Sequence, residues 1–133
     1  MTSLTPTVRV ERLPHYNALK MTWDSPVNKG EIALLAQKLI QALEQMKQPA
    51  YVLVTLRGEA QYPFALAVSE TLRDACQHPM LAEVLICGDA AAAGTISRRL
   101  TLLLGQCVAR NFSTEYEALR YLTAQQPVAY FSL

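Results

Sequence analysis

Cysteine is scarce in this chain and never paired in sequence. Cys76, Cys87 and Cys107 form no CxxC, and neither His15 nor His78 stands at metal-ligand spacing to them. A zinc site or a disulfide framework is therefore not expected to organise the fold. Each cysteine falls in an apolar segment, where a free thiol packs as a small hydrophobe, and reduced thiols point to a cytoplasmic protein. An excess of charge of one sign is also missing. Twelve Lys and Arg stand against eleven Asp and Glu, without a basic stripe, so nucleic acid is not an expected partner. Long apolar runs are absent too. Asp89, Arg98 and Arg99 interrupt the longest candidates, and none approaches the roughly 20 residues needed to span a bilayer. Met1 to Pro6 lacks the basic start and apolar core of a signal peptide.

What remains is a globular composition. Apolar residues make up 51% of the 133 positions and charged ones 17%, enough for one core and too little for two. No repeat or linker divides the chain, so residues 1–133 read as a single domain.

The elements alternate. Thr7 to Leu13 alternates polar and apolar residues as a half-buried strand does, Pro14 to Asn17 reads as a turn, and Ala18 to Trp23 reads as a returning strand. Asn28 with Glu31 makes a capping-box pattern. Ile32, Leu35, Ala36, Leu39, Ile40, Leu43 and Met46 then repeat at helical spacing until Pro49. Tyr51 to Leu56 is a continuous apolar run of the kind that a sheet covers on both faces. Residues 57–63 read as a loop, and a second helix follows with Phe64, Val68, Leu72, Ala75 and Cys76 on one stripe. Ala82 to Cys87 is another buried strand. Gly88-Asp89 turns the chain into a third helix, from about Ala92 to Gln106, with Ile96, Leu100, Leu103, Leu104 and Cys107 inward. A short strand, Val108 to Phe112, precedes a second capping-box pattern, Thr114 with Glu117, and a fourth helix carrying Ala118, Leu119 and Leu122 inward. Pro127 stops it, and Val128 to Leu133 forms an apolar tail, expected to pack on its own domain or to join two copies.

Strands alternating with helices imply right-handed crossovers and a mainly parallel sheet. The expected fold class is therefore α/β: a mixed, mostly parallel sheet covered by about four helices, with an antiparallel hairpin at the start.

This order resembles the sulfate-transporter and anti-sigma-antagonist (STAS) domains, and more closely their SpoIIAA-like relatives. The resemblance covers most of the chain. It is carried by the strand pair, the long helix, the Tyr51–Leu56 and Ala82–Cys87 strands, and the ending from Arg110 to Leu122, RNFSTEYEALRYL. SpoIIAA-like proteins commonly finish with a strand ending in Phe, a Thr-Glu helix start and an Ala-Leu-x-Tyr/Trp-Leu helix. The resemblance implies a non-enzymatic regulatory or protein-interaction module. One departure matters. Where phosphorylatable relatives carry an Asp-Ser pair at a helix start, this chain has Glu59 to Phe64, EAQYPF, with neither residue. The family's phosphoserine is not carried over, and Ser69 lies later, inside the second helix.

The clearest candidate site in the residues themselves is the turn from Gly88 to Arg99. Gly88 and Asp89 follow a buried strand. Gly94 permits close approach, and Thr95, Ser97 and Arg98 offer donors to an anion at a helix start. The lysine of a P-loop and the spacing of a dinucleotide fingerprint are both missing, so no cofactor is expected. The plain alternative is a short capped strand-to-helix connection.

No catalytic constellation stands out. His15 and His78 lack sequence partners, Cys76 and His78 lack an orienting third group, and Asp24, Glu59 and Glu70 are unpaired. Tyr16, Trp23, Tyr62 and Phe64 are candidates for an apolar pocket or for core cover. Leu102 lies off its helix's inward stripe, on the side of Arg98 and Arg99. Two functions stay open. The first is a non-enzymatic module with a protein partner or self-association; the alternative is a domain for a small anionic or amphiphilic ligand.

Overall fold

The computed structural model describes residues 8–13, 15–23, 29–56, 72–88, 90–104 and 109–125. Strands β1 (Val8–Leu13) and β2 (Ala18–Trp23) form the opening hairpin, and helix α1 (Lys29–Glu44) leads to β3 (Ala50–Leu56). A further helical segment, described at residues 72–75, precedes β4 (Leu81–Cys87). Helix α2 (Ala90–Leu104), strand β5 (Ala109–Phe112) and helix α3 (Glu115–Gln125) complete the order. The fold is α/β, as the alternation of strand and helix patterns predicts.

The five strands stand in the order β1-β2-β3-β4-β5, with β1 antiparallel to β2 and every later pair parallel. Because each crossover steps one strand in the same direction, right-handed connections put the intervening helices on one face. The packing agrees. Leu35, Leu39 and Leu43 of α1, Leu72 and Ala75, and Ile96 and Leu100 of α2 share one buried cluster with Leu19, Met21, Val52, Val54, Val84 and Ile86. Among the described helices, only α3 packs on the opposite face. There Ala118 and Leu122 bury Ala18, Leu53, Leu85 and Cys87. Side chains alternate between faces along a strand, so β3 serves both clusters: Val52 and Val54 go to the first and Leu53 to the second, each fully buried. That two-sided burial is why its sequence reads as a continuous apolar run.

The hairpin turn is fastened to the rest of the sheet through Asn17, a residue that the sequence presents only as a turn former. Its side chain is buried, and Nδ2 donates to the Pro49 carbonyl at 2.6 Å. Its own carbonyl accepts from the Tyr51 N–H at 3.1 Å. Asn17 thereby ties the bend between α1 and β3 to the hairpin turn, its own buried amide finding a partner in the Pro49 carbonyl.

Element bounds differ slightly from expectation. Helix α2 begins at Ala90, two residues earlier than the expected start at about Ala92. Alanines 90–93 continue a helix readily, and Gly94 inside it costs only about 1 kcal/mol relative to alanine. The predicted tail Val128 to Leu133, the Glu59–Phe64 loop, Ser69 and Cys107 lie outside the described residues.

Candidate functional site

The face closed by α3 carries most of the described polar chemistry. Register places Lys20 beside Leu53, Leu85 and Arg110 in one row, and Thr22 beside Thr55, Cys87 and Phe112 in the next. Helix α3 crosses these rows. Its start is set locally: the Glu117 N–H donates to Thr114 Oγ1 at 3.2 Å, the N-cap bond that the Thr-x-x-Glu spacing predicts. Glu115 and Glu117 in the first turn add negative charge where the helix dipole favours it.

Two polar clamps hold the helix to the sheet, one near each end. At its start, Lys20 Nζ donates to Glu115 Oε1 at 2.7 Å and Thr55 Oγ1 donates to Glu115 Oε2 at 3.2 Å. Further along, Tyr121 Oη donates to Glu83 Oε1 at 2.5 Å while Arg110 Nε donates to Glu83 Oε2 at 2.7 Å. The Arg110 guanidinium also lies over the Tyr121 ring, 5.0 Å from its centre. Burial, followed by the hydrogen bond to Glu83, pushes the Tyr121 phenol up to about 12. Burial and then the Glu83 charge raise Tyr51 as well.

These groups are paired with one another. Burial pushes the Cys76 thiol up to about 12, and burial followed by the Glu115 charge does the same to Cys87. Neither supplies a thiolate nucleophile near neutral pH. His78 Nδ1 accepts the Met80 N–H at 3.0 Å, which makes it a turn fastener, and His15 is exposed. Among the described residues, no three His, Cys, Asp or Glu side chains gather as a metal site.

The predicted Gly88–Arg98 site is placed as follows. Gly88 has φ +136°, and a Cβ there would lie 2.8 Å from the Leu56 carbonyl oxygen and 2.9 Å from its Cβ. The glycine thus answers the close approach of β3 to the end of β4. Asp89 lies outside the described residues. Gly94 and Thr95 fall beyond the first four residues of α2, whose N–H groups are the ones a helix start leaves open. Arg98 Nη2 donates to Thr95 Oγ1 at 3.4 Å, while Ser97 Oγ donates away from them, to Asn111 Oδ1 at 2.5 Å. Thr95 and Arg98 therefore meet within one helical turn, and Ser97 faces β5.

On a different surface, an open groove of about 390 Å³ lies between the hairpin turn and α3, lined by Tyr16, Tyr116, Leu119, Arg120 and Thr123. Tyr116 is 68% exposed, and the Arg120 guanidinium lies over its ring, 5.9 Å from the centre. Thr123 Oγ1 reaches the Tyr16 hydroxyl at 3.4 Å, tying helix to turn. Of the aromatic pocket candidates in the sequence, Tyr16 is in this groove. Tyr62, Phe64 and the Trp23 side chain lie outside the described residues. Tyr116, Arg120 and Thr123 are not among the sequence candidates, although their recurrence every three or four residues away from the Ala118 and Leu122 stripe marks a second face of the helix; Leu119, read as inward, packs partly on the core cluster and also lines the groove.

No protein-family model matches this chain, and no curated protein sequence does.

Proposed function

We propose that this chain is a non-enzymatic regulatory module that binds a protein partner through the groove between Tyr16 and α3. The exposure of Tyr116 beside Leu119 carries this reading. A large aromatic ring on a described surface, with an aliphatic neighbour and hydroxyls within reach, has the composition from which interface anchors are drawn. The state of the titratable groups supports a binding role over a catalytic one. Lys20, Glu83, Arg110 and Glu115 are mutually paired, and both described thiols are held protonated. The ending from Arg110 to Leu122, similar to that of SpoIIAA-like members of the STAS group, supports a regulatory role. No switch by phosphorylation is assigned, because the stretch from Glu59 to Phe64 holds no Asp-Ser pair.

A second reading, a small anionic or amphiphilic ligand, draws on the groove's volume. About 390 Å³ falls at the small end of the range of roughly 300–1,000 Å³ typical of ligand pockets. Affinity capture from cell lysate, followed by reconstitution with the purified partner, separates the two. The favoured reading expects a stoichiometric complex that Tyr116→Ser abolishes without lowering the melting temperature. Absence of such a complex, together with a large thermal shift on adding a fatty acid, supports the ligand instead.

A further inference from the structure

The groove's charge says what its occupant presents. Three described cations belong to α3 or to the sheet face beneath it. Lys20 holds Glu115 and Arg110 holds Glu83, whereas Arg120 has no carboxylate among the described residues. The Arg120 guanidinium also lies over the Tyr116 ring, 5.9 Å from its centre, a contact that favours this placement at the groove. A stacked guanidinium keeps its planar fork of donors available and gives up less rotamer freedom when it binds a carboxylate. The rest of the described lining contains no acid: two tyrosines, a leucine and a threonine, with Tyr16 and Thr123 linked through their hydroxyls. The surface is therefore one cation beside an apolar floor. Glu117, three residues before Arg120, bonds Thr114 at the helix start, and no ion pair joins it to Arg120 among the described residues.

We propose that the groove accepts an acidic peptide segment in which an apolar side chain stands next to an Asp or Glu, the apolar side chain lying on Leu119 and Tyr116 and the carboxylate on Arg120. This rests on the reading of the chain as a protein-interaction module and names the partner's chemistry. Charge complementarity selects the carboxylate, since an ammonium in the same place would meet Arg120 with like charge. The groove's size limits the contact to one or two side chains, so a single such segment is a weak ligand and the rest of a partner must add affinity.

The test uses the full chain, labelled with nitrogen-15, and the peptide acetyl-GSLDGS-amide, with acetyl-GSLNGS-amide as its neutral isostere. Saturable amide shifts are expected at Tyr116, Leu119, Arg120 and Thr123, with the Asp peptide bound about tenfold more tightly than the Asn peptide. In Arg120→Gln that ratio is expected to collapse to about one while the fold-reporting shifts of the core stay in place. A charge-assisted bond of ordinary strength produces an effect of this order. Shifts confined to other surfaces, equal binding of the two peptides, or an Asp-to-Asn ratio unchanged in Arg120→Gln would each overturn the proposal. The broader reading fails separately. A captured partner that binds Arg120→Gln as tightly as the unmodified chain sinks only the peptide chemistry, whereas the lack of any partner sinks the module itself.

Discussion

Lys20 and Glu115 are 95 positions apart in sequence, yet they meet at 2.7 Å and join the opening hairpin to the first residue of the last helix. The pair fastens the start of α3 to β2, while Ala118 and Leu122 supply the buried contacts that seat the helix beside the groove. Both side chains keep some exposure, 20% for Lys20 and 32% for Glu115, so solvent screens much of the attraction. Lys20→Met or Glu115→Gln is expected to cost about 1 kcal/mol in urea unfolding, and the double variant less than the sum of the two. Additive losses would show that the contact contributes nothing of its own.

Asn17 carries a larger stake because it is buried. Asn17→Ala removes the donor to the Pro49 carbonyl and leaves that acceptor without its side-chain partner. A loss of about 1–3 kcal/mol is expected. Asn17→Asp should do no better, since a carboxylate cannot donate the bond. Calorimetry of both variants checks this, and a wild-type melting temperature for either one contradicts it.

Gly88 is required by space as well as by conformation. Its φ of +136° is rarely adopted by L-residues, and an added Cβ meets Leu56 backbone at 2.8 Å. Gly88→Ala is expected to cost at least about 2 kcal/mol. Gly94 offers the contrast. It sits inside α2, with only the end of the Arg98 side chain at 3.4 Å from an added Cβ. Gly94→Ala should leave stability unchanged or raise it by up to about 1 kcal/mol.

Stability should fall in alkali. Burial holds the Cys76 and Cys87 thiols near 12 in the folded chain against an ordinary value of 9.0, and it contributes most to holding the Tyr121 phenol near 12 against 10.0. Between about pH 9 and 12 the unfolded chain releases these protons first and so binds fewer than the folded one. The free energy of unfolding therefore decreases as pH rises, by up to about 1.4 kcal/mol per pH unit for each such group. Urea midpoints from pH 8 to 11 check the sign. Cys76→Ala should flatten the slope above pH 9, and an unchanged slope would contradict the assignment.

Much of this architecture is legible in the residues because local and global signals agree. The α1 stripe of Leu35, Leu39 and Leu43 is buried, Thr114 caps α3, and the two apolar runs become central strands β3 and β4. The Gly88–Arg98 region is ambiguous in the residues alone. A glycine after a strand looks the same whether it admits an anion or a neighbouring strand, and the approach of Leu56 at 2.8 Å supplies a packing reason for Gly88 that no local pattern shows. The groove is hidden for another reason. Tyr16 and Thr123 are 107 positions apart, and no local pattern announces that α3 turns back to the face its three predecessors leave open. The Lys20–Glu115 and Glu83–Tyr121 clamps are equally non-local, because each draws one partner from the sheet and the other from the final helix.

The account stands or falls on the groove as the partner surface. The most direct measurement is amide shift mapping of the nitrogen-15-labelled chain, titrated with a partner purified by its own capture. The expected result is a continuous patch comprising Tyr16 and the exposed side of Tyr116 to Thr123, lost in Tyr116→Ser. A patch centred instead on the exposed Leu102 of α2, with no shift along α3, would contradict it.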